Sequence, residues 1–483
     1  MKTRLLLSLI TLAWFALQPG SSQSGSKAAK IDELVGLYHG YGLFNGAVLV
    51  ADKSEVIFKK GYGLAHREWN LPNQPDTRFR IGSITKQFTA MLVLQLVEQG
   101  QLKLDGKITD YLPDYPKKTG DRVTIHHLLN HTSGIPSYTG MPDFREKRSR
   151  DPSTPGEFLK VFWDLPLEFE PGARFSYNNS GYFLLGAILE KVAGKPYEKV
   201  LQENILDPLG MKGTGYDHHA TILEKRAAGY ERRLGGFRTA PYLDMSLPYA
   251  AGSLYSTVED LYVWDQALYT ERLLPAKSKE LMFRPNLQNY AYGWIVQKLP
   301  AGDAAADKTS IQHGGGINGF NTLIERLVDD KHLVVLFNNT PGARLPEVSA
   351  QIRRILYGRP YEAPKKPISV ALAEALQKND SPAAVQRYRE LKSKESAAWD
   401  FREPELSGLG YQLLEAKRYK DAIEIFKLNL EAYPKSPNAH NGLAEAYMRN
   451  SDRDLAIQSY ARSLELNPRN RRVVEQLKKL TEN

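Results

Sequence analysis

The chain has 483 residues, of which 42% are hydrophobic and 25% are charged, and its formal net charge is +9. This length exceeds what one hydrophobic core accommodates, so two or three domains are expected in an ordinary globular protein. The positive charge is spread without Lys/Arg runs or aromatic–basic interleaving, which argues against nucleic-acid binding. The absence of cysteine excludes disulfides, a thiol nucleophile and thiolate metal sites.

The first residues have the pattern of a secretory signal peptide. Lys2 and Arg4 precede an apolar run at residues 5–17, and a polar stretch rich in serine and glycine follows. The run is short for a membrane span, which needs about 18 to 20 residues. We therefore predict a signal peptide at 1–24 and export to the periplasm or surface of a bacterium, with an uncleaved N-terminal anchor as the alternative.

Strand and helix patterns alternate over the first 360 residues in an order typical of an α+β domain. A short helix is predicted at Ile31–Tyr41, a long buried helix follows Ser83, and further helices are predicted at Ser180–Ala193 and Leu345–Leu356. Strands are predicted at Gly46–Asp52, Glu55–Gly63, Tyr292–Gln297, Phe320–Val328 and His332–Phe337. The sequence thus predicts one antiparallel sheet built from both ends of a domain at 25–357, with an inserted helical lobe.

A proline-rich stretch at 358–368 is predicted to be a linker to an all-α domain at 369–483. Beyond it the sequence repeats with a period of 34 residues. Gly410 and Ala444 occupy the small position at which paired helices approach closely, and the recurring positions are Leu409/Leu443, Ala422/Ala456, Phe426/Tyr460 and Pro434/Pro468. This spacing resembles the tetratricopeptide repeat, with a degenerate earlier copy around Ala384 and Tyr388 and a capping helix at the C-terminal end.

Ser83 and Lys86 form a candidate catalytic pair. Residues three apart lie on one face of a helical turn, and an amine placed there can take the proton of a serine hydroxyl that is otherwise a poor nucleophile. The Ser-x-x-Lys pattern is weak evidence alone, since Ser24 and Lys27 match it in a Ser/Gly-rich stretch. Ser83 differs because a buried helix follows it.

Two further motifs lie downstream of this pair. Tyr177 and Asn179 precede a predicted helix, where the phenol could shuttle protons and the amide could orient a substrate carbonyl. An ammonium nearby is expected to lower the pKa of Tyr177. The motif His313-Gly314-Gly315-Gly316 ends one strand pattern and precedes another, and its glycines permit close approach of backbone to an acyl group. The amides of Ser83 and Gly316 are the predicted oxyanion donors.

The order Ser-x-x-Lys, Tyr-x-Asn and His-Gly-Gly-Gly resembles the serine β-lactamase and penicillin-binding-protein superfamily. The segments 128–136 and 177–186 resemble its class C-like group, which includes D-Ala-D-Ala carboxypeptidases and esterases. The resemblance implies that Ser83 is acylated, that Lys86 and Tyr177 move protons, and that Asn179 and residues 313–316 bind substrate. The superfamily's β-lactamases usually carry Lys-Thr-Gly at the third motif. In this sequence His313 replaces the lysine and Gly314 replaces the threonine, so the fixed positive charge and the hydroxyl donor are both missing.

We therefore predict an exported serine hydrolase that acts through an acyl-enzyme on an amide or ester of a small-molecule or peptide substrate, including one derived from peptidoglycan. The alternatives are a β-lactamase proper and an idle peptidoglycan-binding scaffold. The repeats are expected to bind an unidentified protein or a second copy of the chain. His127 and His131 have a zinc-compatible spacing, but no glutamate follows His127, so neither a metal nor a cofactor is predicted.

Overall fold

The computed structural model describes residues 26–141, 144–300, 302–303, 307–342, 344–378 and 380–482. The predicted signal peptide lies outside these residues. In the part of the chain that is described, no helix is both apolar enough and long enough to cross a membrane.

Strands lie at both ends of the first 357 residues, and most helices lie between them. The strands are β1 (Gly46–Asp52), β2 (Glu55–Tyr62), β3 (Leu64–His66), β4 (Leu71–Pro72), β5 (Phe79–Arg80), β6 (Gly215–Tyr216), β7 (Tyr230–Arg233), β8 (Gly236–Thr239), β9 (Leu254–Ser256), β10 (Ile295–Lys298), β11 (Thr309–Ile317), β12 (Phe320–Leu327) and β13 (His332–Asn338). The helices are α1 (Lys27–Gly40), α2 (Thr85–Glu98), α3 (Ile108–Tyr111), α4 (Lys117–Gly120), α5 (Ile125–Leu129), α6 (Pro155–Leu159), α7 (Asn179–Ala193), α8 (Tyr197–Leu201), α9 (Asp207–Leu209), α10 (Tyr249–Gly252), α11 (Val258–Leu268), α12 (Ala276–Phe283) and α13 (Leu345–Leu356).

Six of these strands form one antiparallel sheet in the order β10-β11-β12-β13-β1-β2. Strand β1 pairs with β13, with Gly46 opposite Asn338 and Ala51 opposite Leu333, so the two ends of the domain meet inside the sheet. Lys53 and Ser54, both with positive φ, form the tight turn between β1 and β2. The predicted α+β arrangement with an inserted helical lobe is confirmed.

The sheet is covered on both faces. Val48 and Val50 of β1 pack in one apolar cluster with residues of α1 and α13. Ala47 and Leu49, which point to the other face, pack in the larger cluster that contains most of the helical lobe. Because successive side chains of a strand point to opposite faces, β1 is buried along almost its whole length, and it holds the lobe that carries Ser83 against the sheet.

The glycines of the third motif lie near the end of strand β11, as the sequence pattern predicts. Gly315 is opposite Thr322 of β12, and Gly316 is opposite Asn321. A Cβ atom on Gly315 would lie 1.9 Å from the carbonyl oxygen of Ile81, two residues before Ser83. Three consecutive glycines lack the side chains that mark a strand in sequence, and this close approach explains the glycine at 315.

The C-terminal domain consists of paired helices. They are α14 (Ile368–Lys378), α15 (Ser381–Lys394), α16 (Glu403–Glu415), α17 (Tyr419–Ala432), α18 (Pro437–Arg449), α19 (Arg453–Leu466) and α20 (Arg471–Thr481), with two short strands, β14 (Lys366–Pro367) and β15 (Trp399–Asp400). The predicted small positions lie at helix contacts: Ala444 is fully buried, and a Cβ on Gly410 would lie 2.6 Å from the Phe426 ring. Three helix pairs followed by a capping helix are thus present, with α14 and α15 as the degenerate first pair.

The substitution Gly315→Ala is expected to destabilise the catalytic domain by about 1–3 kcal/mol, because the added methyl group would overlap the backbone of Ile81. Gly314→Ala is the matched control on the same strand, since its Cβ would meet no atom closer than the carbonyl oxygen of Thr322 at 3.5 Å. Urea unfolding of both variants measures the difference. Equal urea midpoints for the two variants would show that the backbone at residues 81–83 does not pack closely against strand β11.

Candidate functional site

Ser83 lies on a short 3₁₀ turn, Gly82–Ile84, that joins strand β5 to helix α2. The turn is fixed from both sides: Ile81 donates its N–H to Leu254 of β9 at 2.9 Å, and Thr322 Oγ1 of β12 donates to the carbonyl of Ile81 at 2.9 Å. Gly82 has φ +52, and a Cβ there would lie 2.9 Å from the nitrogen of Gly316. The backbone of Ser83 is therefore held next to strand β11.

Lys86 is the second residue of helix α2, one helical turn after Ser83, and it is fully buried. Its Nζ is 3.1 Å from Ser83 Oγ, 2.8 Å from Asn179 Oδ1 and 2.8 Å from the carbonyl oxygen of Ala251. Burial lowers the pKa of the Lys86 amine well below its usual value, and no acidic group in the described part of the chain opposes this shift. The site thus favours the neutral amine in contact with the serine hydroxyl.

Asn179 is the first residue of helix α7, and the preceding loop fixes its position. The N-cap residue Asn178 accepts a hydrogen bond from Gly181 N, as helix N-termini require. Asn179 donates its backbone N–H to Ser137 Oγ at 3.2 Å and its side-chain Nδ2 to Thr139 Oγ1 at 3.0 Å. Because Thr139 takes the amide nitrogen, the amide oxygen of Asn179 points to Lys86.

Tyr177 lies beside the same amine, with Lys86 Nζ 4.9 Å from its ring centroid. Its ring packs on His131 at 4.3 Å between centroids, and 39% of the residue is exposed. Although part of the residue is exposed, desolvation of the phenol among its packed neighbours raises the pKa of Tyr177 above its ordinary value. The expectation that Lys86 would lower this pKa is wrong, since desolvation outweighs any effect of the amine.

His313 is buried behind the site rather than in its opening. Its Nε2 is 3.0 Å from the hydroxyl of Tyr290, and its Nδ1 is 2.6 Å from the carbonyl oxygen of Gly314. Burial, aided by Lys86, lowers the pKa of His313 to about 4. The imidazole is therefore neutral at physiological pH and supplies no fixed positive charge to the third motif.

A cavity of about 600 Å³ opens in front of Ser83. Its lining includes three of the eight predicted site residues, namely Ser83, Asn179 and Gly316. The lining does not include Lys86, Tyr177 or the other three residues of the third motif, His313, Gly314 and Gly315. It also includes Arg150, Glu231 and Tyr242. The structure thus brings a serine, a buried amine, a phenol and an amide together at one end of an open cavity.

These features match a known family. Residues 28–357, more than half of the chain, match the sequence profile of the β-lactamase family. The chain belongs to the β-lactamase family. Residues 413–480 match the tetratricopeptide repeat. The resemblance of the N-terminal domain to the β-lactamase superfamily and that of the C-terminal repeats to the tetratricopeptide repeat are therefore both confirmed.

The β-lactamase-family domain has relatives of several kinds. Penicillin-binding protein 4* of Bacillus subtilis (strain 168) is 30% identical over 348 residues, which cover 67% of this chain and 75% of that protein. A teichoic acid D-alanine hydrolase of Staphylococcus aureus is 26% identical over 321 residues, covering 65% and 74%. The crystal structure of a penicillin-binding protein from Bacillus halodurans superposes with a TM-score of 0.59 at 29% identity, covering 67% of this chain and 98% of the other. The protein is accordingly a serine hydrolase of the β-lactamase and penicillin-binding-protein type.

Some residues of this β-lactamase-family site have no signal in the sequence. The carbonyl of Ala251 is a backbone group, and Arg150, Glu231 and Tyr242 come from loop-rich segments without periodicity. His131 could be found only through the resembled segment 128–136. The Nδ1 atom of His131 accepts the N–H of Asn178 at 3.1 Å. The described residues contain no cluster of three or more potential metal ligands.

The ring resonance of His313 is expected not to shift between pH 5.5 and 8.5, because its pKa is lowered to about 4 by burial and by Lys86. A histidine exposed to water titrates near pH 6.5 in the same interval. The ¹H–¹³C NMR spectra of the labelled protein measure this, and the signal that disappears in His313→Asn provides the assignment. A midpoint near 6.5 for that signal would contradict the buried position of the ring.

Proposed function

We propose that this protein is an exported serine hydrolase that acts through an acyl-enzyme on an amide or ester, as a D-alanyl-D-alanine carboxypeptidase-like or esterase-like enzyme. The observation that carries the proposal is the distance of 3.1 Å between Lys86 Nζ and Ser83 Oγ, beside an open cavity. Ser83 is the nucleophile: its hydroxyl oxygen attacks the substrate carbonyl carbon, and the leaving group departs with a proton.

Lys86 is the general base for this attack. A neutral amine has two N–H donors and one lone pair. Asn179 Oδ1 and the carbonyl of Ala251, both 2.8 Å away, can take the two N–H donors, so the lone pair is left for the hydroxyl proton of Ser83. Burial supports this role because it favours the uncharged form of the amine.

Tyr177 is the general acid for the leaving group. Its raised pKa keeps the phenol protonated at neutral pH, and its ring lies beside the amine of Lys86, with 4.9 Å between Nζ and the ring centroid. The proton given to the leaving group is replaced from Lys86, which gained one from Ser83. In the second half of the reaction Lys86 takes a proton from water, and the water oxygen attacks the ester carbon of the acyl-enzyme. The bond between this carbon and Ser83 Oγ then breaks, Lys86 returns the proton to Oγ, and the carboxylic acid product leaves.

The oxyanion of the tetrahedral intermediate is bound by the backbone N–H groups of Ser83 and Gly316. The contact of Gly82 with Gly316 supports this assignment, since it holds the two amides at the same end of the cavity. Each such donor is worth roughly a hundred- to a thousand-fold in rate.

A substrate with a free carboxylate suits this cavity. Arg150 lines it as an exposed guanidinium with no acidic partner among the described residues, whereas Glu231, another lining residue, accepts from Arg233 and Arg238. The relatives named penicillin-binding protein and teichoic acid D-alanine hydrolase support a D-alanine-containing substrate from the cell wall. Neutral His313, in place of the lysine of the β-lactamases, argues against efficient β-lactam hydrolysis.

Export is part of the same proposal. The charged and apolar pattern of residues 1–24 supports it, as do the cell-wall names of the relatives. We assign the repeat domain to binding of a partner protein or a second copy of this chain, since stacked helix pairs present an extended surface for such contacts.

Incubation with a fluorophosphonate or with penicillin is expected to modify Ser83, and peptide mass spectrometry locates the adduct. Lys86→Ala should slow the release of p-nitrophenolate from p-nitrophenyl acetate by about 10²- to 10⁴-fold. In the unaltered protein this rate should rise with pH through one ionisation below 10.5, because the deprotonated amine is the active form. Lys103→Ala, at an exposed lysine, is the control.

Several outcomes would contradict this assignment. An adduct on another residue would remove Ser83 as the nucleophile, and a Lys86→Ala variant with an unchanged rate and pH profile would remove Lys86 as the base. Turnover of neither p-nitrophenyl acetate nor a chromogenic cephalosporin, with no adduct on Ser83, would favour a scaffold. Efficient turnover of the cephalosporin would favour a β-lactamase.

Arg150→Ala is expected to raise KM about 10-fold for an N-acyl-D-alanyl-D-alanine peptide with a free carboxylate, because a charge-assisted hydrogen bond is lost. The same peptide as a C-terminal methyl ester should be processed equally by both proteins. Arg148→Ala, at an exposed arginine outside the cavity lining, is the matched control. An equal loss for the acid and the methyl ester would rule out carboxylate recognition by Arg150.

A further inference from the structure

The hairpin formed by β7 and β8, residues 230–239, contacts both domains. Its base is anchored in the catalytic domain, where Tyr230 donates its N–H to the carbonyl of Asn339 at 3.0 Å. The guanidinium of Arg67 stacks on the ring of Phe237, 3.4 Å from the centroid. The base of the hairpin is thus part of the catalytic domain.

The tip of the hairpin lies against the repeat domain. Leu234 packs on the apolar cluster formed by helices α14 to α18. Gly235, with φ +89, lies so close to Gln377 of α14 that a Cβ there would be 3.1 Å from its Nε2. Arg233 forms ion pairs with Glu415, at the end of α16, and with Glu231 of the hairpin itself.

The same segment forms a wall of the cavity in front of Ser83. Glu231 of β7 lines the cavity, and so do Pro241, Tyr242 and Leu243, which directly follow β8. Asn318 Nδ2 donates to the carbonyl of Pro241 at 2.9 Å, which ties this wall to the end of strand β11. A shift of the hairpin would therefore change the width of the cavity.

We propose that the repeat domain sets the shape of the substrate cavity by holding this hairpin, with Leu234 and Arg233 as positioning residues. The inference rests on the proposed function, since the cavity it concerns is the one in front of Ser83. Neither residue touches the reacting groups: Leu234 fixes the tip, and Arg233 orients Glu231 on the cavity wall. The repeat domain thereby contributes to substrate specificity although none of its described residues lines the cavity.

The apolar contact of Leu234 and the ion pair between Arg233 and Glu415 differ in how much they contribute to the attachment of the hairpin to the repeat domain. Glu415 is 49% exposed and Arg233 is 25% exposed, and ion pairs between exposed groups contribute little. Leu234 is partly buried against an apolar core, so its truncation removes the larger share of the attachment. Leu234→Ala should therefore loosen the tip of the hairpin more than Glu415→Gln does. The Glu415→Gln change removes only the ion pair between Arg233 and Glu415 and leaves the pair between Arg233 and Glu231.

The test uses the full-length protein and p-nitrophenyl esters of two sizes, acetate and an N-acyl-D-alanyl ester. Leu234→Ala is expected to raise KM for the larger ester about 5- to 10-fold and Arg233→Ala by a smaller factor, with kcat within 2-fold and the acetate unaffected. Hydrogen exchange at residues 230–239 should accelerate in Leu234→Ala. Leu455→Ala, at an exposed leucine of α19, and Arg389→Ala, at an exposed ion pair of α15, are the matched controls.

Unchanged KM for the larger ester and unchanged exchange in both hairpin variants would overturn the inference. Thermal unfolding of each variant verifies that it is folded, and Leu234→Met should restore the wild-type KM if packing at the tip is the cause. Inactivity of the unaltered protein toward both esters would instead count against the proposed function. In that case the exchange measurement still decides whether the repeat domain holds the hairpin.

Discussion

The buried amine of Lys86 is the constraint around which the helical lobe is organised. Removing an ammonium from water is costly unless the group becomes neutral or finds close partners. Lys86 meets both conditions, since its pKa is lowered and its Nζ contacts three oxygens. Those oxygens belong to the 82–84 turn, to helix α7 and to helix α10. The contacts of the Lys86 nitrogen are therefore complete only when these three elements pack around it. The contacts that satisfy the amine are also those that aim it at Ser83.

The N-terminal end of helix α7 shows how the surrounding loop enforces this arrangement. Asn178 donates to the carbonyl of Ile135, and Ser180 Oγ donates to the carbonyl of Pro136 at 2.8 Å. The loop at 135–139 is therefore bonded to three consecutive residues of the Tyr-x-Asn motif and its helix. Because Asn179 lies between these contacts, its side chain has little freedom to turn away from Lys86. Tyr177 is held from the other side by the ring of His131.

How much of the molecule could be predicted from sequence depended on how local the signal was. Helices α7 and α13 and strands β1, β2, β12 and β13 were predicted within a few residues, because each carries a clear apolar period and β1–β2 a tight turn. Strand β11 was marked in the sequence only by the motif at 313–316, which was placed at the end of a strand pattern, since its glycines are dictated by contact with residues 81 and 82, far away in sequence. The motifs predict Ser83, Lys86, Tyr177 and Asn179 as one site, and the structure places these side chains next to one another. The carbonyl of Ala251 and the other residues of the cavity lining carry no such signal, because backbone groups and irregular loops have no periodic pattern.

The contact between the hairpin and the repeat domain has a reason on each side. A stack of helix pairs leaves an apolar face at each end, which is normally covered by a capping element. At the C-terminal end helix α20 covers the last pair, with Val473 buried in its apolar cluster. At the N-terminal end Leu234 and Gly235 of the hairpin lie on the cluster that includes α14. The catalytic domain thus supplies part of the cap for the first pair, and the tip of the hairpin is supported in return. The substrate cavity is therefore bounded by a segment whose position both domains determine.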